Sequence, residues 1–369
     1  MLYKYRLGEL FCGPGGLGLG AKMAQLRTGT DEYGIEHVWA NDYDPSACAT
    51  YRRNIMPDKP EQVISCPVQH LDFSQLLAAN AITFGFPCND YSIVGEHRGL
   101  EGEYGPLYTY GIKAIQTFQP EWFLAENVSG IQSANEGCAF TRILDDLAQV
   151  HPGYLLTAHE YRFEDYGIPQ KRHRIIIVGI RSDLGRIFRV PEPTTLSRPV
   201  TVAEALDGVE SIPYNNEHTR HAPQVVEMLG YIGPGENAWS EKIPERLRLH
   251  VKGARLSQIY RRLKPDEPAY TITGSGGGGT HMYHWQELRA LTNRERARLQ
   301  TFPDDFIFVG RKEQVRKQIG MAVPPHAAQV ILEAVLKTMA GIDYPWVPAN
   351  IATDSPQRIW IPSPVPLSS

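Results

Sequence analysis

The chain lacks most of what would mark a secreted, membrane-spanning or metal-stapled protein. Its five cysteines (Cys12, Cys48, Cys66, Cys88 and Cys138) are an odd set without a C-x-x-C pair. That argues against a disulfide framework and a structural zinc site, and leaves one or two thiols at most for chemistry. No segment offers the roughly 18 consecutive apolar residues of a membrane span, and the first six residues carry no apolar signal run. A cytoplasmic location is therefore expected. Basic excess is missing too: the net charge is −4, so a nucleic-acid partner has to be sought in local charge and not in the total. No internal repeat breaks up the 369 residues, of which 42% are hydrophobic, enough for a substantial core.

What the chain does contain is an alternation of short apolar runs with helical patterns over residues 1–180. The runs Tyr5–Phe11, His37–Asn41, Ala81–Phe86, Trp122–Glu126 and Arg174–Gly179 predict the strands of a parallel α/β sheet. Across residues 181–284 prolines interrupt the pattern and predict a smaller, loop-rich domain. Residues 285–343 return to helical periodicity, with Pro324-Pro325 placed to start the last helix, and complete the first domain. The segment 344–369 carries six prolines and predicts an extended tail or strap.

Chemistry-bearing residues fall at the ends of these runs. Phe11-Cys12-Gly13-Pro14-Gly15-Gly16-Leu17-Gly18 joins the first strand to a helix and satisfies G-x-G-x-x-G, a loop through which backbone approaches a nucleotide closely. Taken alone it suits a nicotinamide cofactor as well as S-adenosylmethionine. The second run ends in Asn41-Asp42-Tyr43, which puts a carboxylate where a ribose diol would lie and an aromatic ring beside it; a helix cap is the plainer use of Asp42. The third run leads into Pro87-Cys88-Asn89 and the fourth into Glu126-Asn127-Val128, both at the carboxyl edge of the sheet, where open α/β folds bind ligands.

With these blocks in order, the sequence resembles the cytosine-5 DNA methyltransferase family over nearly its whole length. Gln170-Lys171-Arg172-His173-Arg174 matches the family's Q-x-R-x-R, and Arg262 to Thr273, Arg294 to Pro303 and Ile319 to Pro324 follow as further family blocks. The resemblance implies a Rossmann-like S-adenosylmethionine-dependent methyltransferase fold with a second target-recognition domain. It implies Cys88 as the nucleophile that adds to C6 of a flipped-out cytosine, Glu126 as the carboxyl group at N3, and Arg172 and Arg174 around the base. It assigns cofactor contacts to Phe11, Gly13, Gly15, Gly16, Asp42, Tyr43, Val68, Pro87, Met321 and Val323.

DNA contacts are expected at Ser92, at Gly276 and Gly277 in the glycine run, and at Arg246, Arg248, Lys252, Arg255, Arg261 and Arg262. From Arg246 to Lys264 the chain has seven basic residues and no acid, a pattern suited to phosphate. The partner implied is double-stranded DNA, bound by a monomer, with a cognate restriction endonuclease acting separately. A tRNA cytosine-5 methyltransferase on the same fold and an inert DNA-binding homologue are the alternatives. The chain departs from the family at Asn89, where Gln is usual, at Met321, where Asn is usual, and at Cys66-Pro67-Val68, where an Asp is expected. Asn89 and Met321 are expected to reshape the transfer pocket.

Overall fold

The computed structural model describes residues 2–86, 107–132, 138–250 and 256–353. The first strand, Leu2–Leu10 (β1), is exposed at its start and buried over its last four residues, so it enters the core from an edge and ends under the glycine loop. That loop opens helix α1 (Gly16–Met23). A hairpin of β2 (Gln25–Thr28) and β3 (Asp31–Asp42) follows, then α2 (Pro45–Asn54), β4 (Val63–Ser65) and β5 (Ala81–Gly85). Next come α3 (Tyr108–Phe118), β6 (Trp122–Val128), α4 (Cys138–Gln149) and β7 (Tyr154–Arg162).

The sheet has the order β2-β3-β1-β5-β6, then β9 (His173–Arg181), then β7, with β4 also paired to β3. Strands β3, β1, β5 and β6 are parallel to one another, as expected. The Arg174–Gly179 run is not part of that parallel set: it lies in β9, antiparallel to both β6 and β7. Apolar periodicity reports burial and not strand direction, so a reversal of this kind leaves no trace in it. It matters for the site, because the amino-terminal end of β9 meets the carboxyl-terminal end of β6, with Arg174 opposite Val128.

Both faces of the sheet are covered. On one face Tyr108, Ala114 and Ile115 of α3 and Phe140, Ile143 and Leu147 of α4 pack on Phe84, Phe123 and Ile175. On the other, Leu17 and Ala21 of α1 meet residues of the last helix, α9 (Pro325–Ala340), over Leu124, Ile176 and Val178. The two helices touch so closely that a Cβ on Gly20 would lie 2.4 Å from the Ala328 Cβ, which is why α1 carries glycine there.

Between sheet and α9 the chain makes β8 (Gln170–Lys171), β10 (Val190–Pro191), α5 (Val202–Leu206), α6 (Pro223–Leu229), β11 (Ala269–Tyr270), α7 (Asn293–Leu299) and α8 (Lys312–Met321). The loop-rich lobe has a small core of its own, Met228, Leu229, Ile232, Ile243, Leu247, Tyr283 and Ala290. Val202 and Leu206 of α5 pack elsewhere, with Cys12, Tyr51, Ala297 and Ile319 beneath the glycine loop. The final strand, β12 (Trp346–Val347), pairs with β10, and the Asn350 side-chain amide then accepts from the Glu160 N–H and donates to the Glu160 carbonyl of β7. Up to residue 353 the proline-rich segment is therefore a strap across the outer strand.

Candidate active site

The glycine loop is held from the side by Asp42. One carboxylate oxygen accepts from Gly13 N at 2.8 Å and the other from Asp44 N at 2.9 Å. The helix-capping use belongs instead to Asp44, whose side chain accepts from Ser46 N and Ala47 N at the start of α2. Asp42 is buried and its pKa is raised by that burial, with the two backbone N–H groups opposing the shift. Phe11 turns the chain with φ 54°, a conformation rare for a bulky residue, and Gly13 follows with φ 53°. A Cβ on Gly13 would meet no atom within 4 Å, so the loop faces open space there. Tyr43 stands beside that space with its ring 60% exposed, and the Lys317 ammonium donates to its hydroxyl at 3.3 Å. Gly15 carries φ 98° at the cap of α1, Gly16 is packed against the Val323 carbonyl, and Val68 and Val323 are buried. Met321, by contrast, is 62% exposed at the end of α8.

Glu126 occupies the carboxyl end of β6, against Gly85 of β5. Its Oε1 lies 3.0 Å from the Arg174 Nε, and both side chains are largely sheltered. Burial pushes the Glu126 carboxyl above the ordinary carboxylate range, although the Arg174 and Arg172 guanidinium groups pull the other way. A carboxyl group so placed holds a proton more readily than one in water and can donate it to a base. The next residue, Asn127, donates its side-chain amide to the Phe86 carbonyl at 3.0 Å and fixes the end of β5 from which Pro87 and Cys88 continue. Pro87, Cys88, Asn89 and Ser92 lie outside the described residues.

Arg172 was expected beside Arg174 at the base, and its side chain is turned to another task. It is buried, donating to the carbonyls of Ile272 at 2.9 Å, Gly320 at 3.1 Å and Ala322 at 3.0 Å. Gln170 works alongside it: its amide accepts from Ile272 N at 2.7 Å and donates to the Gln300 side chain at 2.9 Å. Gln300 donates onward to the Ile319 carbonyl at 2.7 Å. Two glutamines and an arginine thus tie together segments that are more than a hundred residues apart in the chain.

The basic stretch after residue 246 is less free than its spacing suggests. Arg246 pairs with Glu227, Arg248 with Glu245 at 2.8 Å, and Lys264 with Glu267 at 2.7 Å. Arg261 lies over the Tyr270 ring at 4.7 Å. Arg262, expected at phosphate, is buried, and its guanidinium donates to the carbonyls of Leu229, Ile232, His284, Trp285 and Glu287. It is a core crosslink of the lobe, because acceptors from distant loops surround it. Gly276 and Gly277 sit in a turn closed by the Thr280 hydroxyl. Lys252 and Arg255 lie outside the described residues.

Sequence reasoning passed over Glu9, which is 1% exposed under the glycine loop and accepts from the Tyr51 hydroxyl at 2.7 Å. Burial raises its pKa to about 8, against the opposing hydrogen bonds from Tyr51 and Gly18. A lone acid inside an apolar strand end was the available signal.

The family model for C-5 cytosine-specific DNA methylase matches residues 5–337. The chain is 62% identical over 349 residues to the Type II methyltransferase M.BbvI of Brevibacillus brevis, covering 93% of each chain. It is 39% identical over 342 residues to the Type II methyltransferase M.NgoFVII of Neisseria gonorrhoeae, covering 90% of this chain and 87% of that one. Among solved structures, a putative DNA modification methyltransferase encoded within an Escherichia coli prophage superposes with a TM-score of 0.70 at 23% identity, over 91% of this chain and 99% of that chain, which speaks to the fold. The chain belongs to the C-5 cytosine-specific DNA methylase family and is a DNA (cytosine-5-)-methyltransferase.

Proposed function

We propose that this methyltransferase acts on a cytosine flipped out of a short duplex sequence, with Cys88 as nucleophile, Glu126 at N3, Arg174 holding Glu126 and the base, and S-adenosylmethionine as methyl donor. The observation that carries this reading is the Glu126–Arg174 pair at the sheet edge, one strand from the chain that leads into Cys88. The open space over Gly13, the exposed Tyr43 ring and the spare lone pairs of Asp42 fit an adenosine moiety. When bound, S-adenosylmethionine supplies an electrophilic methyl group on sulfonium sulfur.

Cytosine C5 is a weak nucleophile, so the thiolate of Cys88 first forms a bond to C6. The displaced electron pair moves toward N3, where the protonated Glu126 carboxyl donates its hydrogen, and C4–C5 becomes an enamine that takes the methyl at C5. Water then takes the C5 proton, the C5–C6 double bond re-forms as the C6–S bond breaks and the Cys88 thiolate leaves, and the N3 proton returns to the Glu126 carboxylate. Arg174 offers fixed guanidinium donors to the Glu126 carboxylate and to the base O2. By its likeness to M.BbvI we assign the chain to a Type II modification system, acting as a monomer beside a separate endonuclease.

Duplex DNA carrying 5-fluorocytosine at the target tests the chemistry, since its C5 holds no proton to lose. A covalent, denaturation-resistant adduct is expected with the parent protein and none with Cys88→Ser. Full turnover by Cys88→Ser would end this reading. Bisulfite sequencing of DNA from cells making the protein gives the target sequence.

A further inference from the structure

Most buried arginines in this chain have obvious partners. Arg294 donates to the carbonyls of Tyr214, Pro303 and Phe306, and Arg289 grips Glu295 and Glu287. Arg296 does not follow them. It is 3% exposed on α7, its guanidinium makes no hydrogen bond or ion pair among the described residues, and its Nη2 is fully buried without a partner. The nearby Glu295 carboxylate is already taken by Arg289 at 2.7 and 2.8 Å and by Thr292 N at 2.7 Å. On the neighbouring helix α8, the Nε of the half-buried Arg316 is likewise buried and unpartnered.

These two side chains belong to one cluster. Asn293 at the start of α7 donates to the Lys312 carbonyl at 3.0 Å and pins the two helix starts together. His281 is buried at the same seam, where burial, then Arg296, Arg316, His221 and Lys312 in turn, push its pKa down to about 4. Glu217 and Glu313 oppose this charge at Lys312, and Glu295 opposes it at Arg296. The Tyr270 and Tyr283 hydroxyls donate to the Arg261 carbonyl at 3.3 Å and the Gly278 carbonyl at 2.9 Å, and neither accepts from the Arg296 Nη2. A buried guanidinium with an unmade hydrogen bond is costly, and an acceptor arriving from outside removes that cost.

The location says which acceptor. His281 directly follows the glycine run, its N–H bonded to the Gly278 carbonyl, so the cluster lies beside a stretch of glycine backbone, with Lys312 and Arg316 its more exposed members. Farther along, α8 reaches the cofactor side through Lys317 and Met321. We propose that Arg296 and Arg316, with Lys312 and His281 beside them, form a seat for one phosphodiester group of the bound duplex. A guanidinium fork matches phosphate oxygens, and the seat ties the register of the DNA backbone to the α7–α8 pair. It does not read sequence.

The test uses Arg296→Met and Arg316→Gln, with binding to target and non-target duplexes titrated over a range of NaCl in the presence of S-adenosylhomocysteine. Each variant is expected to bind both duplexes about 10-fold more weakly at low salt and to flatten the log–log salt slope by about 1. Arg296→Met removes an unpaired buried charge, so its melting temperature without DNA should equal or exceed the parent's. An unchanged salt slope in both variants overturns the proposal, and a fall in melting temperature with that unchanged slope would make Arg296 a packing residue. Inorganic phosphate is the remaining arm: if it stabilises the parent and not Arg296→Met while the DNA slope is unchanged, the seat serves a free anion and the proposal fails. Should Arg296→Met not fold, the half-buried Arg316→Gln decides by its slope alone. The parent's own duplex binding in the same titration separates failure of the seat from failure to bind DNA at all.

Discussion

Arg172 and Arg174 stand two residues apart, yet the first donates to three backbone carbonyls in the interior while the second meets Glu126 at the sheet edge. Arg172 lies in the break between β8 and β9, one residue before β9 begins at His173, so the alternation of side chains along a strand does not hold the two guanidinium groups on one face. One is a staple between sequence blocks and the other pairs with the carboxyl group proposed to act on the base. Their substitutions should therefore fail in different ways. Arg172→Met removes a donor from each of the carbonyls of Ile272, Gly320 and Ala322 and should cost on the order of 3 kcal/mol of stability. Arg174→Met should melt near the parent temperature, because a buried Glu126 that loses its partner takes up a proton instead of remaining charged. Its turnover should fall about 100-fold, the scale expected for a group that orients a catalytic acid. Thermal melts beside single-turnover rates on one duplex substrate check both, and equal loss of stability in the two variants would contradict the division.

Glu126 itself yields a pH prediction. Its carboxyl is raised above the usual range by burial, so its protonated form is plentiful below that raised pKa and declines as pH rises through it. In the proposed mechanism the methylation step needs that proton, and it also needs the Cys88 thiolate, which grows with pH. The parent rate should therefore pass through a maximum, with the alkaline limb belonging to Glu126. Glu126→Gln keeps a hydrogen-bond donor without a titrating proton. It should lose about 100-fold or more in rate and lose the alkaline limb as well. A pre-steady-state pH–rate profile of both proteins is the measurement; an alkaline limb that survives in Glu126→Gln assigns it to another group.

How far these roles could be read beforehand depended on the physics behind each signal. Strands β1, β3, β5 and β6 were legible because continuous apolar runs ending in glycine or polar residues report burial within a parallel sheet. The direction of β9 was not, and β7, with its mixed burial, did not stand out as an apolar run. Order and spacing of short blocks brought Asp42, Glu126 and Arg174 to one edge of the fold. They could not tell a free cation from a neutralised one: Arg246, Arg248 and Lys264 find their acids at Glu227, Glu245 and Glu267, and Arg262 finds only carbonyls. Charge spacing along a chain carries no information about partners that the fold brings in from another loop.

Met321 offers a test of the cofactor edge. The residue projects from the end of α8 beside Gly274, where a Cβ would lie 3.1 Å from the Met321 Cγ, and it is largely exposed. An exposed apolar side chain at that place is suited to cover a bound ligand. Met321→Asn should raise the KM for S-adenosylmethionine about 5-fold and leave kcat nearly unchanged, as when roughly 1 kcal/mol of contact common to ground and transition states is lost. Steady-state rates at saturating DNA distinguish this from a fall in kcat, which would put Met321 against the reacting atoms instead.

Glu9 is buried beneath the glycine loop, where the Tyr51 hydroxyl donates to it. Its folded pKa is raised to about 8, far above that of an exposed glutamate, so folding draws a proton onto Glu9 over the whole interval between the two values. Stability from this group is fully present below the unfolded pKa and is lost progressively as pH rises, until above pH 8 the folded protein holds a buried carboxylate accepting only from Tyr51 and Gly18. Glu9→Gln keeps the shape and an acceptor for Tyr51 and has no proton to lose. The parent's melting temperature should fall from mildly acidic conditions to pH 8 by an amount corresponding to a few kcal/mol, and the Glu9→Gln curve should be flatter and should lie above the parent's on the alkaline side. Parallel curves across that interval would mean that Glu9 is charged throughout and that the loop is built around a carboxylate.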